Sequence, residues 1–448
     1  MLGLVLLVFA AKAWFWNLPY HWDESGAYMP PVHWLAMQPL WRVLPGFHEV
    51  GLFYGHPPLL FVLLAGLFKL FGESISLAHA VMTGFSALGI VYIYLLGKYL
   101  WNRPAGLIAA CLTFFMPTWF AESAMVLGDL PIAAVGVMVI YYTLRGRLGL
   151  YLACGICLVM LKETAGAIIL GILLYKMIFT PRRNWKVGLW GIPLVPLIAF
   201  LLWQKLATGF FCPNPYFISH PMLEFSPARI AGQAAWMLLW TFIWHSRWLL
   251  LVIILLQGLR YPRALFRREH ALFAIIILIF AVTFSTLYWM NRYMLAVFPL
   301  LCLLAGGALV RILRPTVSRV LLTLLILLAF TIHYTGKSTG YYNYDDCLEY
   351  LDMIAVNHQA ATYLADHHPQ KRIWAVWPLC LALKEPWQGY LRQPLRVVEK
   401  DEPFDLLVYY DLPDCGTLLM QPFIKTGEVR LAQRFTQNGK WVEIYVKN

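Results

Sequence analysis

Two adjacent carboxylates, Asp23 and Glu24 in HWDESGAY, follow the first apolar run of a chain in which only 13% of residues are charged. Farther along, a few more groups that could do chemistry interrupt apolar sequence: His56 in GHPPLL, Asp129 in ESAMVLGD, Lys162 and Glu163 in LVMLKETAGAIIL, and Arg292 with Tyr293 in MNRYMLAVFP. Ionisable groups at a membrane are expensive to desolvate, so each needs a partner or a task. Together they supply carboxylates that accept protons and cations that hold an anion. Each also has a plainer reading. Asp129 is well suited to cap a helix N-terminus, Lys162 and Arg292 to snorkel to headgroups, His56 to sit satisfied at the interface, and Asp23 and Glu24 to open a solvated loop.

The elements that must position these groups are membrane helices. The 448 residues are 60% hydrophobic with a mean hydropathy of +0.64, far outside the soluble range. Apolar runs near the roughly 20 residues needed to cross a bilayer recur to about residue 335, and their lengths suit helices rather than barrel strands. The run Met1 to Trp16 reads as a retained helix, since it lacks a basic leading segment and a small-residue cleavage site. The formal charge of +12 does not imply a nucleic-acid partner. Lys and Arg number 23 before Gly336 against 9 Asp and Glu, and 15 of those cations fall in five short loops: Lys98/Arg103, Arg145/Arg147, Lys176 to Lys186, Arg260 to Arg268 and Arg311 to Arg319. These are positive-inside loops. After Gly336 the counts are 12 and 14.

With those loops cytoplasmic, the chemistry-bearing residues and the tail all fall on the outer face. Helices are expected at 78–97, 105–121, 126–144, 148–161, 164–179, 187–206, 236–256, 271–290, 293–310 and 320–335, which with the first run makes about 11 full crossings. HPPLLFVLLAGLFKLF, His56 to Phe71, is short and carries Lys69, so it reads as a partly inserted or surface helix. Residues 17–76 form an outer juxtamembrane segment, aromatic and interfacial in composition. The expected organisation is a membrane catalytic domain over 1–336 and a small soluble α/β domain over 337–448. In the latter HQAATYLADHH and PLCLALKEPWQGYL read as helices, and RIWAVW, FDLLVYYD and KWVEIYVK as strands. Cys154 and Cys157 lie in an apolar helix and read as packing; a disulfide among Cys347, Cys380 and Cys415 is open.

The succession WDESGAY, GHPPLL, GDLP, LKETA and NRYMLAVFPL, closed by a soluble tail, resembles the GT-C glycosyltransferases that use polyprenyl-phosphate sugars, in particular the protein O-mannosyltransferase and lipid A aminoarabinose transferase group. The resemblance implies a GT-C fold and inverting transfer of a sugar to an acceptor hydroxyl or phosphate on a glycan, lipid or protein. It makes Asp23 the catalytic base, with Glu24 and Asp129 as further catalytic acids and His56, Lys162, Glu163, Arg292 and Tyr293 as substrate-binding residues. It also places the chain in a bacterial inner membrane, with active site and tail on the periplasmic face. The chemistry is consistent: a carboxylate takes the acceptor's proton while cations neutralise the departing phosphate. This chain departs from the group where an arginine often precedes the second aspartate, offering Glu122 instead. WDES lacks DxD spacing, so no metal or other cofactor is expected to be required, a divalent cation at the acids being the alternative. The rival functions are a secondary transporter, disfavoured by the lack of repeated halves, and a non-catalytic scaffold presenting the tail.

Overall fold

The computed structural model describes residues 1–181, 185–214, 226–264, 267–285, 290–335, 345–410 and 419–448. A bundle of apolar helices carries a small five-stranded sheet domain built from the end of the chain. The central helix is Ile75–Leu100, capped by Ser74. Leu2–Lys12, Arg103–Phe114 and Asp129–Leu144 pack on it. Small residues set the approach: a Cβ at Gly97 would lie 2.6 Å from the Gly106 Cα, a closeness only glycine permits.

Several expected helices are shorter or broken, each for a local reason. The run 105–121 divides into Arg103–Phe114 and Pro117–Glu122, because Pro117 lacks a backbone donor and holds Met116 extended. The expected helix at 236–256 is two, Pro227–Ile243 and Trp248–Arg260. The chain bends there by 105°, at His245 and Ser246, whose φ of 50° and 63° no right-handed helix accommodates. Leu148–Leu161 coincides with expectation, and Gly166–Phe179, Leu194–Thr208, Arg268–Phe284, Phe298–Ile312 and Thr316–Thr331 overlap theirs. Among the described residues Ile75–Leu100 is long and apolar enough to cross a membrane alone, and the bent pair passes the same test jointly. Leu59–Phe71 has 13 residues, about 20 Å of helix, too short to span. It packs on the helix Met29–Ala36, whose Ala36 carbonyl accepts from Lys69 Nζ at 2.6 Å.

The tail begins its regular structure with the helix Tyr350–His367. Its strands are β1 (Ile373–Ala375), β2 (Val397–Val398), β3 (Leu406–Tyr410), β4 (Val429–Gln437) and β5 (Lys440–Lys447), in the order β2-β1-β3-β5-β4. β1 runs parallel to β2 and β3; β5 is antiparallel to β3 and β4. The β4–β5 turn is Asn438-Gly439, both at positive φ, the pairing a two-residue hairpin demands. PLCLALKEPWQGYL is not one helix: Leu379–Lys384 stops before Pro386. Cys347 and Cys380 are free thiols; Cys415 lies outside the described residues.

Candidate active site

The site begins at a sharp turn after the first helix. Trp22 has a φ of 52°, and the next residues wind into a π-helical turn, Glu24–Tyr28, before the Met29–Ala36 helix. Single π-turns of this kind are frequent at functional sites. This one points Asp23 and Glu24 in different directions. The tail holds the turn: Gln388 bonds the Ser25 hydroxyl, donates to the Ser25 carbonyl at 3.0 Å and accepts from the Tyr20 amide at 3.1 Å. The Trp377 indole lies against Gly26 so closely that a Cβ there would run into it.

Asp23 meets Arg292. That arginine stands in the short turn Asn291–Met294, ahead of the Phe298–Ile312 helix. Asn291 anchors the turn, accepting from the buried Arg247 at 2.7 Å and donating to Thr118 at 3.0 Å. The same guanidinium reaches Asp345, and its Nε stands 3.8 Å from Asp129 Oδ2. The other oxygen of Asp129 accepts from Lys162 Nζ at 2.9 Å. Lys162 comes from the extended break between Leu148–Leu161 and Gly166–Phe179. Asp129 is therefore not a cap: Gly128 holds that position, and Asp129, the first helical residue, makes ion pairs instead. Nor do Lys162 and Arg292 reach headgroups, being 6% and 3% exposed.

Around this centre, Lys162 Nζ and the Arg292 guanidinium lie 5.2 and 5.7 Å from the Tyr293 ring centre. His56 sits one layer out, stacked on Tyr28 with centroids 5.7 Å apart, its Nδ1 2.9 Å from Glu163 Oε2. Glu24 is elsewhere. Its Oε1 takes His79 Nε2 at 2.7 Å and the Val126 amide at 2.8 Å, while Oε2 takes the His21 amide at 3.1 Å. It ties three segments together and leaves no oxygen for a ligand.

The electrostatics follow from this packing. Burial works against both cations, yet the carboxylates beside them prevail: Asp129 raises Lys162, and Asp345 and Asp23 raise Arg292, so both stay charged. Burial pushes the Asp345 carboxyl up to about 6 despite Arg292, and raises Asp346 well above the usual carboxylate range. Asp345 and Asp346 were not among the candidates read from the sequence. Their one signal is an acidic doublet, DDCLEY, directly after the composition changes. Among the described residues no group of three or more His, Cys, Asp or Glu side chains is arranged to hold a metal ion; the carboxylates converge on cations instead.

A family model for dolichyl-phosphate-mannose-protein mannosyltransferases matches residues 55–204. The crystal structure of ArnT from Cupriavidus metallidurans in the apo state superposes with a TM-score of 0.63 at 16% identity, covering 99% of this chain and 97% of that one. The same enzyme bound to undecaprenyl phosphate gives 0.58 at 17% identity and the same coverage. The chain has the GT-C membrane glycosyltransferase fold. An archaeal oligosaccharyltransferase, AglB from Archaeoglobus fulgidus in complex with an inhibitory peptide and a dolichol-phosphate, shares it at a TM-score of 0.52 and 11% identity, over all of this chain and 74% of that one. No curated protein sequence matches.

Proposed function

We propose that this GT-C chain is an inverting glycosyltransferase, moving a sugar from a polyprenyl-phosphate-linked donor to a hydroxyl or phosphate of a glycan, lipid or protein. The observation that carries the reading is the convergence of Asp23, Asp129, Lys162 and Arg292 from four separate parts of the chain. A burial this rich in charge is costly for stability, and it is intelligible as the holder of a charged ligand. The matches to ArnT with undecaprenyl phosphate and to the mannosyltransferase model supply the donor class.

In this reading Asp23, whose side chain is 22% exposed, is the base. It takes the acceptor's proton as the acceptor oxygen attacks the anomeric carbon from the face opposite the lipid phosphate. Arg292 and Lys162 hold the phosphate and stabilise its charge as the glycosidic bond breaks, so the leaving group needs no proton. Tyr293 and the Glu163–His56 pair border the sugar. Asp129 fixes Lys162. The protein is proposed to be a multi-pass protein of a bacterial inner membrane, with about 11 crossings over residues 1–336 and residues 337–448 as a periplasmic cap. A secondary transporter fits less well, because the acids stand at helix ends and turns rather than at broken mid-membrane helices.

Two measurements test this. Purified protein is given a radiolabelled polyprenyl-phosphoryl sugar, and release or transfer is followed; no turnover of mannosyl or aminoarabinosyl donors ends the reading. Cysteines placed at the exposed positions Glu73 and Lys400 should label from outside intact cells, and one at Arg268 only after permeabilisation.

A further inference from the structure

Arg292 has more partners than it can serve once a ligand arrives. Before anything binds, two cations, Arg292 and Lys162, already face three carboxylates, Asp23, Asp129 and Asp345. Glu122 and Asp346, both buried, border the same group. A phosphodiester donor adds another negative charge. Four negative charges against two positive ones cannot share a site largely shielded from water, because an uncompensated buried charge is strongly unfavourable. Either one carboxylate leaves or one takes up a proton.

The three carboxylates are not equivalent. Asp129 is gripped by both cations from the first turn of its helix. Asp23 is required as an ionised base in the function proposed above, on which this inference rests. Asp345 is 1% exposed, has one oxygen on Arg292 Nη1, and has no hydrogen-bond partner for the other among the described residues. It offers the guanidinium the kind of oxyanion contact a phosphate would offer. We propose that Asp345 is the resident occupant of the donor phosphate's place on Arg292, and that the donor binds by replacing it, the displaced carboxylate taking a proton from solvent.

Charge balances in that exchange: one negative oxyanion replaces another, and the proton leaves Asp345 neutral in its buried position. The charged and titratable groups that face it are Arg292, Asp23 and Asp129, with Glu122 and Asp346 beside them and Lys162 behind Asp129. Burial has already brought its carboxyl up to about 6, with Asp23 and Asp129 adding to the rise and Arg292 opposing it. Proton uptake is therefore accessible near neutral pH. Where Asp345 is ionised in the free protein, binding consumes a proton, so donor affinity falls as pH rises above about 6, by up to about tenfold per pH unit, and levels off below it.

The probe is undecaprenyl methyl phosphate, a diester whose single charge is constant between pH 5 and pH 8, so the ligand contributes no titration of its own. Its binding to the purified full-length protein is measured across that range. The wild type should bind at least tenfold more weakly at pH 8 than at pH 5. Asp345→Asn should bind at least tenfold more tightly than wild type at pH 8, with a flat profile. Asp346→Asn removes a neighbouring acid that does not pair with Arg292, and should keep the wild-type slope. A flat wild-type profile overturns the proposal, and that measurement needs no variant to fold. So does Asp345→Asn binding no tighter than wild type, or Asp346→Asn reproducing its effect. Wild-type protein that binds no diester at any pH removes the donor reading as well, whereas the other failures leave that reading standing.

Discussion

Asp23 and Glu24 are neighbours in the chain, yet they serve two buried polar groups of opposite character. Glu24 and His79 are each 2% exposed, and both oxygens of the carboxylate have partners of fixed geometry. Neither of these two side chains has a polar atom left over. Around Arg292 three carboxylates compete for one guanidinium, carboxylate oxygens are left without partners among the described residues, and Asp23 remains open to solvent. A satisfied network fixes a structure, whereas an over-supplied one is held ready for something else. The contrast separates the acid that holds the turn from the acid that uses it.

Substitutions that keep shape while removing charge sharpen that contrast, and the largest effect belongs to Asp23. Asn at this position cannot accept a proton, so turnover of a polyprenyl-phosphoryl sugar should fall by at least about a hundredfold, while diester binding and thermal stability persist. If Asp23→Asn turns over near the wild-type rate, the base lies elsewhere and Asp129 is next in line. Lys162→Ala should come second. Losing one charge-assisted contact to the phosphate costs about 1.5 kcal/mol or more, roughly tenfold in donor affinity, with the acceptor KM unchanged; equal losses for donor and acceptor would indicate general damage to the fold. Glu24→Gln should reverse the pattern. It lowers stability by about 1.5–3 kcal/mol, read as a lower midpoint in denaturant, because an amide can accept from His79 or from the backbone but cannot supply two acceptor oxygens. Turnover per folded molecule should stay within a few-fold, and a hundredfold loss there would merge the two clusters into one. His56→Ala should do least, changing turnover by less than tenfold, since His56 stacks on Tyr28 and pairs with Glu163 rather than with Asp23, Lys162 or Arg292.

The parts of this arrangement legible in the sequence were those in which a charged residue breaks an apolar run. Asp129, Lys162 and Arg292 stand out because long apolar runs lie beside them, and the structure links all three to Asp23 in one chain of ion pairs. Glu24 was equally conspicuous and differs in use, because a one-residue step on a π-turn changes which neighbour a side chain meets, and periodicity carries no information about that. Asp345 was hidden for the opposite reason: it sits in a polar stretch where an acidic doublet is ordinary, and its partner is 53 residues away. The helix at 236–256 was misread because His245 and Ser246 are unremarkable by propensity, and only their left-handed backbone reveals the bend. β4 was missed because its side chains are mostly exposed at the sheet edge and lack an apolar rhythm.

The pairing of Asp23 with Arg292 joins positions 269 residues apart, and this has a consequence for biogenesis. At ordinary rates of synthesis, about 5–20 residues per second, roughly ten seconds to a minute elapse between the emergence of the two. Over that interval the nascent chain carries an acid without its guanidinium, and the Asp345 carboxylate follows Arg292 later still. A ribosome that stalls between those codons leaves a chain in which the proposed phosphate site lacks Arg292, so under that proposal incomplete chains hold donor poorly while they await degradation.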